Sequence, residues 1–463
     1  MRRLIRARPG RDAVFVRISF RLNEPTLAWP GGCASPASVA RSMRRHATER
    51  APVASSNEGE ANTMNSAFSF LPAWPLEPDA ILWAGLALVT AELAGELLWR
   101  AWRLPRITGY AVIGLIAGNA GLGVIDSSAG GLSRPLLDVA LGLLLFELGG
   151  RLDLRWICRN PYLILSSIAE STFTFGLVLI ALILLNVPTM PSVVIAAIAM
   201  ATSPAMVIQL KTELRAEGQV TQRLLTLTAL NSMYAVIVEK LAAGVLHQEI
   251  YGNTFATILQ PLYLLIGSLV LAFLLARACN LLARRLPPTD EHSFVALFGL
   301  VLLAIAIAHI FKLSTILSLL AAGIIVKNAD ERPQLWPSHF GSAGWLLTVI
   351  LFALTLTSFH WRDIALGGVA ALGLIVARFV GKLVGVLIFA KPSGLDWKQG
   401  VALGVALTSM SALAYLLVDD MYVLYPDYDP TLRAIVMCSI VMLQIVTPFV
   451  VYRSLSAVGE RRE

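Results

Sequence analysis

The chain has 463 residues, of which 56% are hydrophobic and only 14% are charged, and its net charge is +7. Soluble proteins carry about 25% charged residues, so this composition excludes a set of soluble domains and a disordered protein. Apolar runs of about 20 residues and a mean hydropathy of +0.70 predict an all-α integral membrane protein. The four cysteines lie far apart, and we expect no metal, no cofactor and no enzyme activity.

The N-terminal 79 residues contain no apolar span. Residues 1–63 hold eleven arginines and no lysine among prolines, serines and alanines, which predicts a disordered, Arg-rich tail. A transit peptide is one interpretation of this tail. We favour the other interpretation, in which translation begins at Met64.

Between residues 80 and 453, apolar runs define thirteen candidate membrane spans, numbered here in chain order as spans 1 to 13. Their predicted bounds are 80–98, 107–125, 135–150, 161–186, 191–210, 224–246, 254–276, 293–311, 314–326, 343–359, 364–390, 399–418 and 432–452. Span 9 is short, so it is predicted either as a half-helix or as a continuation of span 8. Residues 454–463 are predicted to form a short cytoplasmic tail.

Lysine and arginine are distributed unequally between the two sides of these spans. The loops after odd-numbered spans and the C-terminal tail hold 19 of them, whereas the loops after even-numbered spans hold 4. Because basic loops stay in the cytoplasm, this pattern predicts a cytoplasmic C-terminus and an external N-terminus. We expect a multi-pass protein of the plasma membrane, which is the inner membrane in a bacterium.

Spans 4–6 and 11–13 resemble each other, because small polar residues interrupt the middle span of each triplet. The interrupting residues are Thr202, Ser203 and Pro204 in span 5 and Thr408, Ser409 and Ser411 in span 12. Backbone groups freed by such a break must face protein or a wet cavity. The triplets begin seven spans apart, so the second is inverted. One polar patch is more often a kink, but two broken helices in inverted repeats are typical of the substrate site of a secondary transporter.

Few ionisable residues lie inside the spans, and a charge at the helix centre costs about 2.5–3.5 kcal/mol. Arg378 and Lys382 lie one turn apart in span 11. Glu170 lies in span 4, the equivalent span of the other repeat, so we predict a Glu170–Arg378 ion pair. This pair either holds the two halves together or takes part in transport. Gly381 and Gly385 form a close-packing motif that predicts a helix contact.

Two further pairs of charged residues lie inside spans. Glu239 is two turns after Ser232 in span 6 and on the same face. The neighbouring Lys240 either neutralises Glu239 or leaves it as a titrating group. In span 1, Glu96 is placed to pair with Arg100, four residues later.

Five segments carry a resemblance to a known family. They are RITGYAVIGLIAGNAGLGVI (106–125), LLDVALGLLLFELGGRLDLRWI (136–157), ATSPAMVIQLKTEL (201–214), LSTILSLLAAGIIVKN (313–328) and ARFVGKLVGV (377–386). In this order the segments resemble the monovalent cation:proton antiporter-2 family of the sodium/hydrogen exchanger superfamily, over residues 80–453.

The resemblance implies a sodium/proton antiporter-like fold of thirteen spans with crossed breaks in spans 5 and 12. It implies a homodimer in the lipid bilayer, with a core bundle of residues 161–246 and 364–452 that moves against a dimerisation domain formed by the remaining helices. The implied substrates are monovalent cations and protons. The basic residue that faces the ion site in the family corresponds to Lys382 or Arg378.

One position departs from the family pattern. Relatives carry an ion-binding aspartate after the first break, as Asn-Asp or Asp-Asp, and the matching pair here is Asn231-Ser232. Ser203 also stands where some relatives have aspartate. Asparagine and serine oxygens coordinate a hard cation but cannot exchange it for a proton. The chain is therefore expected to be an atypical member that lacks the usual aspartate.

Three functions remain open at this point. The first, which we expect, is Na⁺ or K⁺ antiport against protons by alternating access, with the titrating group relocated to Glu239 or, second, to Glu170. The second is passage of a cation or another small solute past Asn231, Ser232 and the break hydroxyls without proton exchange. The third is a non-transporting membrane protein on the same fold. We expect no nucleic-acid partner.

Overall fold

The structure is a computed structural model that describes residues 80–125, 133–252, 254–285, 291–329 and 340–461. All of these residues belong to one unit, Pro78–Glu463. The predicted tail of residues 1–79 and the predicted start at Met64 lie outside the described residues. Within the described ranges every regular element is a helix, which confirms the all-α prediction.

Sixteen helices are described and are numbered α1 to α16 in chain order. Their bounds are Ala80–Trp102, Arg106–Ala117, Ser133–Gly149, Leu154–Arg159, Pro161–Leu184, Thr189–Met200, Pro204–Leu214, Gln219–Tyr251, Thr254–Arg285, Glu291–Ile310, Thr315–Ala329, Phe340–Thr357, Trp361–Ala390, Trp397–Ala406, Ala412–Leu424 and Pro430–Ala457.

Each predicted span coincides with one helix or with a pair of helices. Among the described residues, seven stretches are long and apolar enough to cross a membrane, and shorter apolar helices accompany them, so the chain is a multi-pass membrane protein. The count of thirteen crossings stays a prediction. Spans 8 and 9 are separate helices, α10 and α11, because the chain turns between them at Lys312 with a φ of 52°. The alternative in which they merge is therefore wrong.

One short helix was not predicted. Helix α4 is capped by Asp153, whose carboxylate accepts hydrogen bonds from the backbone N–H groups of Arg155 and Trp156 at 2.8 and 3.2 Å. It contains only six residues and carries no apolar run, so hydropathy could not reveal it.

Spans 5 and 12 are both broken, as predicted. Span 5 forms α6 and α7, which are separated by residues 201–203, and span 12 forms α14 and α15, which are separated by residues 407–411. Pro204 begins α7, where its missing N–H leaves no hydrogen bond unmade. Ser203 caps the same helix by accepting a hydrogen bond from the backbone N–H of Met206 at 3.3 Å.

The first helices of the two triplets, α5 and α13, pack against each other in opposite directions. A Cβ atom on Gly381 would lie 2.6 Å from the Cα of Thr174, and one on Gly385 would lie 2.3 Å from the Cα of Glu170. Residue numbers therefore rise along one helix as they fall along the other. This antiparallel contact agrees with inverted repeats, and it confirms that the Gly381/Gly385 motif is a helix contact.

The broken span 5 lies at the centre of this unit. Of its 18 most apolar consecutive residues, 94% are buried, compared with 33% of the equivalent 18 residues in α5 and in α13. Because its backbone is interrupted far from lipid, the freed polar groups can be satisfied only by protein or by water.

Candidate functional site

The two breaks contact each other directly. The backbone N–H of Ser203 donates to the carbonyl of Ser409 at 3.1 Å, and the hydroxyl of Thr202 donates to the carbonyl of Leu407 at 3.2 Å. The hydroxyls of Ser203 and Ser411 also form a hydrogen bond. The broken helices therefore cross at their interruptions, which confirms the fold prediction.

Arg378 satisfies the backbone carbonyls that the breaks leave free. Its guanidinium donates to four backbone carbonyls. On the α6 side the acceptors are Ala199 and Ala201, the latter at 2.7 Å, and on the α14 side they are Ser409 at 2.8 Å and Thr408 at 3.4 Å. These carbonyls lie at the C-terminal ends of α6 and α14, and each helix end carries about half a negative charge. Arg378 thus compensates both half-helix dipoles and holds the two breaks together.

Lys382 forms an ion pair with Glu170, and both side chains are fully buried. Its ammonium also donates to the carbonyl of Met200 at 3.1 Å and to the hydroxyl of Thr202 at 3.2 Å. The predicted Glu170–Arg378 pair was therefore wrong in its partner. The planar guanidinium of Arg378 is occupied by several carbonyls, which leaves the more compact ammonium, one turn further along α13, to reach the carboxylate.

Neutral polar groups close this arrangement into a ring. The side-chain amide of Asn231 donates to the Thr202 hydroxyl at 3.2 Å, and the Ser171 hydroxyl lies 3.1 Å from the Asn231 carbonyl oxygen and 3.4 Å from the Glu170 carboxylate. We call these residues, with Lys382, the polar ring, and every member is buried. Carboxylate, hydroxyl and amide oxygens are the ligands that hard cations prefer.

The charges around the crossing leave no excess of negative charge. Glu170 contributes one negative charge, and Lys382 and Arg378 contribute one positive charge each. The C-terminal ends of α6 and α14 contribute about half a negative charge each, and the N-terminal ends of α7 and α15 contribute about half a positive charge each. A cation that entered this buried region without the loss of another positive charge would be left uncompensated, at a cost of several kcal/mol. The arrangement therefore favours exchange of one positive charge for another.

Other predicted site residues lie at the edge of the polar ring or outside it. The Ser232 hydroxyl donates to the carbonyl of Thr228 at 2.8 Å and lies 3.5 Å from the carbonyl of Thr202. The Thr408 hydroxyl donates to the Val405 carbonyl at 2.7 Å. The buried hydroxyl of Ser409 has no hydrogen-bond partner among the described residues.

Glu239 belongs to a different charge cluster. It lies 3.1 Å from Lys240, as the neutralising interpretation predicted, and Lys240 in turn lies 3.2 Å from Asp420. Seven residues separate Glu239 from Ser232 along α8, which corresponds to about 10 Å. The structure therefore does not bring Glu239 together with the crossing.

Sequence reasoning missed Ser171 as a member of the polar ring. Ser167, Glu170, Ser171 and Thr174 are all buried and follow the i, i+3, i+4, i+7 spacing of one helix face. A polar face on an otherwise apolar membrane helix was the available signal, and it indicated the side of α5 that meets the crossing.

Two crossing broken helices in a multi-pass bundle, with ionisable side chains buried at the crossing, define a secondary transporter. The family model described as "Sodium/hydrogen exchanger, transmembrane" matches residues 86–452. The chain therefore belongs to the sodium/hydrogen exchanger family, whose members are transporters and not enzymes.

Solved structures share the fold. The structure of the sodium proton antiporter MjNhaP1 from Methanocaldococcus jannaschii at pH 8 matches with a TM-score of 0.59 and 19% identity, over 81% of this chain and 95% of that chain. An electron-microscopy structure of the same antiporter matches with a TM-score of 0.55 and 20% identity, over 82% of this chain and 95% of that chain. The sodium/proton antiporter-like fold is thus confirmed. Comparison with curated proteins finds no match.

Proposed function

We propose that this chain exchanges a monovalent cation, Na⁺ or K⁺, for a proton by alternating access. The observation that supports this proposal is the buried Glu170–Lys382 ion pair at the crossing of the broken helices. Membership of the sodium/hydrogen exchanger family and the likeness to a sodium proton antiporter support the same activity.

Glu170 is the single acid for which the cation and Lys382 compete. Without a cation, the Lys382 ammonium neutralises the carboxylate. A cation bound to Glu170, with the oxygens of Thr202, Asn231 and Ser171 as further ligands, displaces that ammonium. Lys382 then releases one proton, because two positive charges beside one carboxylate are unfavourable in a buried site. One cation enters the polar ring as one proton leaves, and the reverse step on the other side completes the cycle.

Glu170 is a better candidate than Glu239 for the carboxylate that binds the cation, because of its neighbours. Glu170 contacts Lys382 and lies within the polar ring, next to the ends of the broken helices that would move. The close neighbours of Glu239 are Lys240 and, through it, Asp420, in a cluster removed from the crossing. This assignment places the relocated acid on α5, on the helix that packs against α13.

A second function is favoured by the neutral members of the polar ring. Thr202, Asn231 and Ser171 could ligate a cation without any protonation change, as uncoupled passage requires. Cation flux that does not depend on pH and moves no protons would support this alternative against antiport.

We also propose the finer assignments that the sequence predicts. The chain is an atypical member of the monovalent cation:proton antiporter-2 family, since Asn231-Ser232 replaces the usual acidic pair. It crosses the plasma membrane, or the inner membrane in a bacterium, thirteen times and works as a homodimer. The alternation of basic loops supports an external N-terminus and a cytoplasmic C-terminus. The core bundle comprises residues 161–246 and 364–452, and the other helices form the dimerisation domain.

The test is proton-coupled flux in proteoliposomes. Wild-type protein is reconstituted with an internal pH dye and exposed to Na⁺, K⁺ and Li⁺ gradients. We expect at least one of these gradients to drive proton movement in the opposite direction, Glu170→Gln to abolish the coupling and Glu239→Gln to retain it. If Glu170→Gln exchanges protons as the wild type does, the proposed role of Glu170 is wrong.

A further inference from the structure

We infer that two arginine–carboxylate latches, at opposite ends of the bundle, alternately hold the second halves of the two broken helices. This inference rests on the proposed alternating access and adds the residues that fix its end states. The α7 latch is Arg106 with Glu213, and the α15 latch is Arg134 with Asp419 and Asp420.

The carboxylates occupy matching positions in the two repeats. Glu213 lies 11 residues after Thr202, and Asp419 lies 11 residues after Thr408. Glu213 therefore lies nine residues, or about two and a half turns, beyond the start of α7, and Asp419 lies seven residues, or about two turns, beyond the start of α15. If the half-helices move as units about the crossing, these ends are displaced along with them.

The arginines belong to helices outside the two repeated triplets. Arg106 is the first residue of α2, and Arg134 lies in the first turn of α3. Each latch therefore connects a helix outside the proposed core bundle to a broken helix inside it. Relative movement of the two groups of helices must break or remake these contacts.

The two latches lie at opposite ends of the bundle, as α12 shows. Near its start, the Trp345 ring lies 5.8 Å from the guanidinium of Arg106. Just past its end, the hydroxyl of Ser358 lies 3.0 Å from the hydroxyl of Tyr415, one turn before Asp419 on α15. Thirteen residues separate Trp345 from Ser358, which corresponds to about 20 Å along the helix. A rocking movement about the crossing between the latches would open one end while it closes the other.

The α15 latch is engaged in this structure. Arg134 donates to Asp419 at 2.5 Å and to Asp420 at 2.7 Å through separate nitrogens of its guanidinium. Two hydrogen bonds from one planar group to two carboxylates are a strong, geometrically specific contact.

The α7 latch is only partly engaged. The Arg106 guanidinium donates to Glu96 at 2.9 Å and is 3.8 Å from Glu213, which accepts a hydrogen bond from the Arg106 backbone N–H at 3.3 Å. The second carboxylate oxygen of Glu213 is buried and has no hydrogen-bond partner among the described residues. Arg106 is therefore placed to exchange Glu96 for Glu213. The two latches are at different stages of engagement, as alternation requires.

Hydrogen–deuterium exchange on the full chain in lipid nanodiscs tests this inference, with peptides that cover residues 419–425 and 208–217. For Arg134→Gln, and separately for Asp419→Asn, we expect exchange to become about tenfold faster at 419–425, as for the loss of about 1.4 kcal/mol, and slower at 208–217. Arg106→Gln should produce the opposite pattern. Arg159→Gln is the control, because Arg159 is an exposed arginine at the end of α4 and contributes to neither latch.

Changes confined to the peptide beside each substitution, or reciprocal changes in Arg159→Gln as well, would overturn the inference. The readout does not depend on transport. If the protein shows reciprocal hydrogen–deuterium exchange but no proton-coupled flux, the latches are supported and the proposed function is wrong. If the protein shows coupled flux but only local changes in hydrogen–deuterium exchange, the proposed function is supported and the latches are wrong.

Discussion

Glu170 and Lys382 are 212 residues apart in the chain, yet they form a fully buried ion pair where the two broken helices cross. Removing two charges from water costs several kcal/mol per ion, and their mutual attraction repays that cost only with good geometry and further hydrogen bonds. Lys382 obtains those bonds from Met200 and Thr202. The stability of the crossing and the proposed exchange chemistry thus depend on the same pair.

The first prediction concerns the two partners of this pair. Lys382→Gln should lower the free energy of unfolding by about 3–5 kcal/mol, because it leaves the Glu170 carboxylate buried without a counter-charge. Lys382→Gln combined with Glu170→Gln should recover most of that loss, since neither charge of the pair then remains buried without its partner. Thermal unfolding of the detergent-solubilised variants measures both effects. Additive losses in the double variant would show that the pair does not act as a unit.

The second prediction concerns the close contact of α5 and α13. Gly385→Ala should lower the free energy of unfolding by about 1–3 kcal/mol, because its Cβ would lie 2.3 Å from the Cα of Glu170 and would force the helices apart. The matched control is Gly176→Ala on α5, where an added Cβ meets no atom within 4 Å. Thermal midpoints of the two variants are compared, and equal midpoints would contradict the contact.

The third prediction separates the charge of Arg378 from its shape. Arg378→Lys retains the positive charge but cannot donate to the same set of carbonyls at the ends of α6 and α14. Each buried carbonyl left without a donor costs about 1–3 kcal/mol, so the thermal midpoint should fall well below that of the wild type. Wild-type stability in Arg378→Lys would mean that the charge alone compensates the helix ends.

The fourth prediction concerns the C-terminal residues, which were predicted as a short tail from residue 454. Helix α16 continues to Ala457, and the buried Glu460 carboxylate accepts hydrogen bonds from the backbone N–H groups of Val220 and Thr221 at 2.7 Å. Glu460 thereby caps the start of α8, where Gly218 offers no side chain.

Glu460→Ala should therefore lower the free energy of unfolding by about 1–2 kcal/mol, the usual effect of a lost helix cap. The exposed Glu249, at the other end of α8, provides the control variant Glu249→Ala. Thermal unfolding is the measurement. If the two alanine variants lose stability equally, the contact of Glu460 with α8 contributes nothing specific.

Much of the fold could be predicted because membrane helices carry strong local signals. Apolar runs indicated every described helix except the short α4, and proline with serine and threonine indicated the breaks in spans 5 and 12. The pairing of Glu96 with Arg100, at 2.6 Å, followed from helix periodicity alone. Glycine spacing likewise indicated the contact of α5 with α13.

The partners within the site depend on contacts between distant segments, which the sequence does not specify. Arg378 and Lys382 lie one turn apart on α13, and periodicity cannot decide which of them reaches Glu170. The choice is made by backbone carbonyls that are free acceptors because both helices are broken, and that meet at Arg378 because the breaks cross. Ser171 was missed because its partner, Asn231, lies on another helix. Asp420, the second partner of Lys240, was missed for the same reason.

Cation-induced proton release shows whether a cation displaces Lys382 from Glu170. Purified protein in a weakly buffered solution with a pH dye is mixed with Na⁺, K⁺ or Li⁺ at constant ionic strength. We expect about one proton released per chain in the wild type and in Glu239→Gln, and none in Glu170→Gln, because the cation and Lys382 compete for one carboxylate. Wild-type protein that releases no proton with any of the three cations, or Glu170→Gln protein that releases as many as the wild type, would contradict this competition.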